Sequence, residues 1–161
     1  MPVARVTLLG LLVSCFIMMN ACSQTSANHS STGFYVGSTP CDSLIRSILK
    51  IPADQTCDFI KWELHLSHPD NFHLQAVYGA SKPNTNGFIN GTNITVTGNY
   101  TTRPDTTINS SATLYQLHSE KFLSPLLLIE LDSSIMHFSD ANKNLLVGNG
   151  GWGYVLNRSN E

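Results

Sequence analysis

Apolar and polar residues alternate along much of this chain, in short runs. Phe59-Ile-Lys-Trp-Glu-Leu-His-Leu66 places Ile60, Trp62, Leu64 and Leu66 on one face and Lys61, Glu63 and His65 on the other. Period two with β-forming residues predicts a half-buried strand. Asn71 to Tyr78 repeats the pattern, with Phe72, Leu74, Ala76 and Tyr78 inward. Between them Ser67-His-Pro-Asp-Asn71 is rich in turn formers, so the two runs read as a hairpin. Centring the turn on Pro69 sets Leu64 opposite Leu74, His65 opposite His73 and Leu66 opposite Phe72.

Further strands are predicted over Gly33–Gly37, Asn93–Tyr100, Ala112–Leu117, Leu126–Leu131, Ile135–Phe138, Leu145–Val147 and Trp152–Asn157. Leu126–Leu131 is continuously apolar, which predicts cover on both faces. Ser43–Ile51 fits either a helical turn or a bulged strand. Gly79–Thr92, with Pro83 and several glycines and asparagines, predicts the longest loop, read as a solvated connection. Gly148-Asn-Gly-Gly-Trp152 predicts a hairpin turn. No long amphipathic helix and no internal repeat appears.

So many short strands predict an all-β fold, a small antiparallel up-and-down barrel of lipocalin-like form, because closure removes exposed edges. Trp62, Phe72, Tyr100 and Trp152 are the expected barrel interior, with Trp152 plugging one end. Arg158 is expected to close that end through a cation–π or backbone contact. Periodicity does not distinguish a lined cavity from a filled one.

The start of the chain changes the picture from fold to compartment. Residues 1–21 carry a single charge, Arg5, ahead of an apolar run from Val6 to Met19. That run falls short of the roughly 20 residues of a membrane span and fits a secretory signal. It ends Met19-Asn20-Ala21-Cys22, which resembles the lipobox of bacterial lipoproteins. The resemblance implies cleavage before Cys22, lipid on its thiol, and an exported protein held at a membrane, the bacterial outer membrane. Residues 22–32 have no charge and no large apolar side chain, so they read as a flexible tether ahead of a domain over 33–158.

Cysteine arithmetic follows from that compartment. Of four cysteines, Cys15 lies in the signal and Cys22 carries lipid. Cys41 and Cys57 remain as an even pair in an oxidising compartment, which predicts a disulfide. Two separate thiols or a two-cysteine metal site are the alternatives, although no histidine or carboxylate stands near either cysteine in the pattern of a zinc site.

Charge narrows the partners. The chain has 9 basic and 11 acidic residues, a formal net charge of −2. Without clustered Lys and Arg it offers no surface for phosphate backbones, which argues against nucleic acid. The best chemical cluster is histidine: His65 and His73 face each other across the hairpin, with His68 at its tip. Two imidazoles at cross-strand spacing suit zinc or copper(II), and are otherwise solvated outward positions. No catalytic set is predicted. There is no Gly-x-Ser-x-Gly elbow, and the carboxylates Asp42, Glu63, Glu130 and Asp132 are scattered. No cofactor is expected.

Two ends of the domain, Gly33-x-Tyr35-x-Gly37-x-x-Pro40-Cys41 and Tyr154-x-Leu156-x-Arg158, resemble the amino-terminal domain of NlpE-type outer-membrane lipoproteins, often labelled copper-resistance or copper-homeostasis proteins. That resemblance implies a lipocalin-like barrel behind a lipobox. The family's Pro-Cys-x-x-Cys is absent, since Asp42, Ser43 and Leu44 follow Cys41. With Met136 as the one methionine after the signal, soft copper(I) ligands are missing and the family's copper chemistry is not carried over. Leu145–Trp152 also looks like uncharacterised exported lipoproteins of Bacteroidetes type, and Asp42-Ser43-Leu44 and Asp105-Thr106-Thr107 look like their O-glycan attachment sites. The expected role is non-enzymatic: an envelope lipoprotein that binds a small molecule or an envelope protein. A metal-binding lipoprotein using the surface histidines is the alternative, and a cryptic hydrolase the third.

Overall fold

The computed structural model describes residues 32–105, 107–108 and 111–160. The signal segment, Cys22 and all of the tether but its last residue lie outside the described residues. Eight strands run β1 (Gly33–Pro40), β2 (Phe59–Ser67), β3 (Asn71–Ser81), β4 (Phe88–Pro104), β5 (Thr113–His118), β6 (Leu126–Asp132), β7 (Ile135–Ser139) and β8 (Val155–Ser159). Each pairs antiparallel with the next, and β8 returns to β1, closing an up-and-down barrel. The expected fold class is therefore the observed one. The β2–β3 register matches the sequence pattern, with Leu64↔Leu74, His65↔His73 and Leu66↔Phe72.

The ambiguous segment resolves as a short helix, α1 (Ser43–Ile48). Asp42 is its N-cap, and its Oδ1 accepts from the Ile45 amide at 2.8 Å. Such a cap satisfies an amide that the helix leaves open. Ile45, Ile48, Leu49 and Ile51 join the interior cluster from this segment. Cys41 and Cys57 are joined by a disulfide, Cα–Cα 5.7 Å, at the two roots of the cap. A clasp over a loop of this length restricts the unfolded chain by about 3 kcal/mol.

The interior is packed with side chains. Tyr35, Trp62, Leu64, Leu74, Tyr115, Leu117, Leu126 and Phe138 are all buried to within 1 %. Burial at about 25 cal/mol per Å² makes this cluster the main source of stability. Leu126–Leu131 is covered on both faces, as predicted. Leu126 and Leu128 belong to the interior, whereas Ile129 is buried outside with Ala112 and Leu114, against Leu127, Leu131 and Leu145.

Three sequence expectations need correction. Gly79–Thr92 is not a long loop, because β3 runs to Ser81 and β4 begins at Phe88. Its glycines and asparagines serve a bulge: register shifts between Tyr78 and Ala80, Asn90 takes φ 53°, and the Gly79 and Gly91 backbones pass so close that a Cβ on Gly79 would stand 3.3 Å from Gly91 Cα. Leu145–Val147 is not a strand, since it contributes one isolated bridge, Ser139↔Leu145. The last strand starts at Val155 rather than Trp152, which moves that tryptophan out of the barrel.

Candidate functional site

Phe59 begins β2 on the outward side shared by Lys61, Glu63 and His65, yet it is 1 % exposed. Its neighbour on β3 is Gly79, which presents no side chain, so the outer surface there has room for rings. Phe88 lies over Phe59 with centroids 4.2 Å apart and planes at 21°. Trp152 stacks on it at 4.7 Å and 7°. Lys61 Nζ stands 5.9 Å from the Phe88 centroid, within cation–π reach. The three rings form a continuous stack on the outside of the barrel, near the capped end.

The turn before β8 sets Trp152 in place. Asn149 Oδ1 accepts from the amides of Gly151 (2.9 Å) and Trp152 (3.0 Å), and the Asn149 amide donates to the Trp152 carbonyl at 3.0 Å. Gly148 is needed for this closure: a Cβ there would fall 2.3 Å from the Trp152 carbonyl oxygen. Val147, one residue before, is 90 % exposed, and Ile89, one residue after Phe88, is 50 % exposed. Apolar surface therefore flanks the stack at both ends of the chain segments that build it.

The predicted interior residues divide. Trp62, Phe72 and Tyr100 belong to the interior cluster, and Trp62 Nε1 donates to Thr39 Oγ1 at 2.9 Å. Trp152 does not belong to it and plugs no barrel end; the half-exposed indole packs on the outward Phe59. The end expected beneath it is filled by α1 residues. Arg158 does not close that end either: it lies at the opposite rim, by the start of β1, where it donates to the backbone carbonyls of Thr32 (3.0 Å) and Ser133 (3.3 Å).

The histidines divide as well. His65 and His73 are cross-strand neighbours with ring centroids 6.1 Å apart, and Phe34 lies 4.2 Å from the His65 ring. His68 sits in the exposed turn beyond them. Among the described residues, no three metal-ligating side chains come together, so the three-histidine set is not assembled as a site. Alternation pairs two outward side chains across a hairpin, but it does not bring the turn tip back onto the sheet.

The carboxylates hold local structure. Asp42 caps α1 and accepts the Tyr154 hydroxyl, while burial, reinforced by the bond to Asp42, pushes the Tyr154 phenol well above its ordinary range. Glu130 Oε2 accepts from the Tyr115 hydroxyl at 3.0 Å. Asp132 Oδ1 accepts from the Ser134 amide and hydroxyl at 2.7 and 2.6 Å. None of these bonds joins two of the carboxylates.

The clefts lie outside the barrel. One of about 640 Å³ runs between β4 and the β5–β6 connection, lined by Thr97–Asn99 and residues 118–125. One of about 330 Å³ lies on the outer face of β1–β3 around Lys61, Glu63 and Gln75. Tyr35, Leu64, Leu74, Tyr115, Leu117 and Phe138 line none of them. Sequence reasoning missed Phe59 and Phe88 as site residues. The available signal was Phe59 itself, an aromatic residue in an otherwise polar outward series. No family model, curated protein or solved structure matches this chain.

Proposed function

We propose that this chain is a non-enzymatic, lipid-anchored envelope protein of NlpE-type form, whose barrel recognises an envelope protein through its outer surface. The observation that carries this reading is the filled interior. Trp62, Tyr35, Tyr115 and Phe138 are buried to within 1 % in the interior cluster, which favours a filled barrel over one that holds a ligand. Recognition then falls to the outside, and the Phe88–Phe59–Trp152 stack with Val147 and Ile89 beside it is the surface offered. Aromatic anchors flanked by exposed apolar groups suit a protein interface. The lipid on Cys22 and the outer-membrane location are part of the same proposal, and rest on the lipobox resemblance.

Cross-linking in intact envelopes, followed by purification of the full chain and of Trp152→Ala, tests the reading. A discrete species recovered with the native chain and lost with Trp152→Ala, while the far-ultraviolet dichroism is unchanged, supports it. Equal recovery by both proteins, or none by either, sinks it. A small molecule released on denaturing the native protein, seen by native mass spectrometry, would show that the interior is not full. The His65–His73 pair keeps a two-ligand metal reading in view as the lesser alternative.

A further inference from the structure

α1 and the outer face of β5–β7 border a cleft of about 250 Å³. Leu44 and Ile48 stand about one helical turn apart on α1 and form one wall. The other wall is a row across three strands, because Gln116 of β5 pairs with Leu127 of β6 and Leu127 pairs with Ser139 of β7. The helix wall is set before anything binds: Asp42 caps α1, and the Leu123 amide donates to the Ile48 carbonyl at 2.9 Å. The cleft is smaller than the roughly 300–1,000 Å³ of sites for drug-sized molecules.

Two polar groups break its apolar walls. Ser139 is 4 % exposed, and its Oγ has no hydrogen-bond partner among the described residues. A buried hydroxyl left in that state costs free energy that a bonding partner restores. Asp140, the next residue, also lines the cleft. Its Oδ1 accepts from the amides of Asn142 and Asn144, and its Oδ2 accepts from the Asn144 side chain. A carboxylate has about four acceptor sites, so Oδ2 keeps one. Lys143, the base of the same turn, stands 3.9 Å from Asp105, and no lysine, arginine or histidine lines the cleft.

We propose that this cleft binds a small primary amine with an aliphatic body. The alkyl chain lies against Leu44, Ile48, Pro125 and Leu127, and the ammonium sits between Asp140 and Ser139. An ammonium carries donors only, which suits the open site on Asp140 Oδ2 and a hydroxyl oxygen. The Ser139 hydroxyl is closed to solvent where it stands, and it meets the ligand by turning between staggered χ1 positions. One acid and no base on the walls favours a cation and disfavours a carboxylate of the same shape. No residue of the aromatic stack takes part. So small a ligand exchanges off during purification, unlike one enclosed in the barrel, so this inference and the filled interior fail separately.

Titrating the full chain in detergent with hexylamine, 1-hexanol and hexanoate, followed by amide chemical shifts, tests the inference. Shifts should move at Ile48, Leu127, Ser139 and Asp140. Hexylamine should bind most tightly and hexanoate least, with at least about tenfold between the two. Asp140→Asn keeps the size of the side chain and removes its charge, so it should bring hexylamine close to 1-hexanol. Partition into the micelle is the same for both proteins and cancels in their ratio. Ser139→Ala should be no less stable than the native chain, because it loses no partner, yet bind hexylamine several-fold more weakly. The ranking and the shift map of the native chain need no variant, so they stand as the test should Asp140→Asn fail to fold. Equal affinity for the amine and the carboxylate overturns the inference. So do shifts confined to Phe88 and Trp152, which would place the amine on the aromatic stack, or hexylamine binding that both variants leave unchanged.

Discussion

The chain's two tryptophans sit in two regions that obey different rules. Trp62 lies in the β2–β3 hairpin, where every second residue points inward and the register follows from the turn. Trp152 lies between β7 and β8, where the fifteen residues from Asp140 to Tyr154 carry the chain back outside the barrel. Both regions are rich in apolar residues. In the hairpin the neighbours of each side chain are fixed by alternation, which is local information. Between Ser139 and Val155 they are fixed by what the loop meets: Asn149 folds the turn, and the half-buried indole finds Phe59 from a distant strand. A tryptophan in strand alternation is placed by its own segment, whereas one beside glycines is placed by the rest of the molecule.

The sharpest way to break this comparison is to truncate both indoles. Trp62→Ala empties a fully buried site and strands Thr39, a 0 %-exposed hydroxyl whose partner is the indole nitrogen. Equilibrium denaturation should show a loss of about 3–5 kcal/mol. Trp152→Ala removes a half-exposed ring and should cost a smaller amount, about 1 kcal/mol, in keeping with one aromatic pair. Equal losses would mean that the outer stack is as much a core as the interior.

A second, smaller effect tests the hairpin's own row. Leu66, Phe72 and Gly98 are cross-strand neighbours, and Gly98 stands where β4 passes from β3 to β5. A Cβ there would fall 2.0 Å from the His118 carbonyl oxygen and 2.8 Å from the Phe72 ring. The backbone oxygen cannot rotate away as a side chain does, so Gly98→Ala should destabilise by about 1–3 kcal/mol. Gly150→Ala, in the other region, meets nothing within 4 Å and serves as the control.

The same contrast explains what the sequence disclosed. Barrel class, hairpin register and the two-sided burial of Leu126–Leu131 follow from period and apolar content, and those signals reside in single segments. The disulfide followed from counting the cysteines left once a signal segment and a lipidated Cys22 are expected. What stayed hidden depends on contacts between segments. Gly79 and Gly91 read as loop residues because glycine marks turns and close backbone passages alike. Leu145 reads as a strand residue because an outer apolar patch and a strand face share one composition. Phe59 and Phe88, which build the candidate site with Trp152, lie far apart in sequence and meet only once the strands are paired.

The gentlest probe of the loop region is acid. Asp140 opens the connection after β7 and accepts from the Asn142 amide at 2.8 Å and from the Asn144 amide and side chain at 2.9 Å each. The Asn144 side chain first, and then its backbone, hold this carboxyl below the usual range. A carboxyl whose value is lowered by folding contributes its stability above the unfolded value, about 3.9, and loses it as pH falls through the lower folded value. Asp140→Ala should therefore be slightly less stable than the native chain near neutral pH, and the gap should close in strong acid. Asp105 and Asp132 are lowered too, but they remain in both proteins and cancel in the difference. Denaturant midpoints for the pair, measured from neutral pH downward, read that gap directly. A gap that persists unchanged into acid would assign the role of Asp140 to the shape of the turn and not to its charge, and the loop region would then owe its geometry to packing against the outer leucines alone.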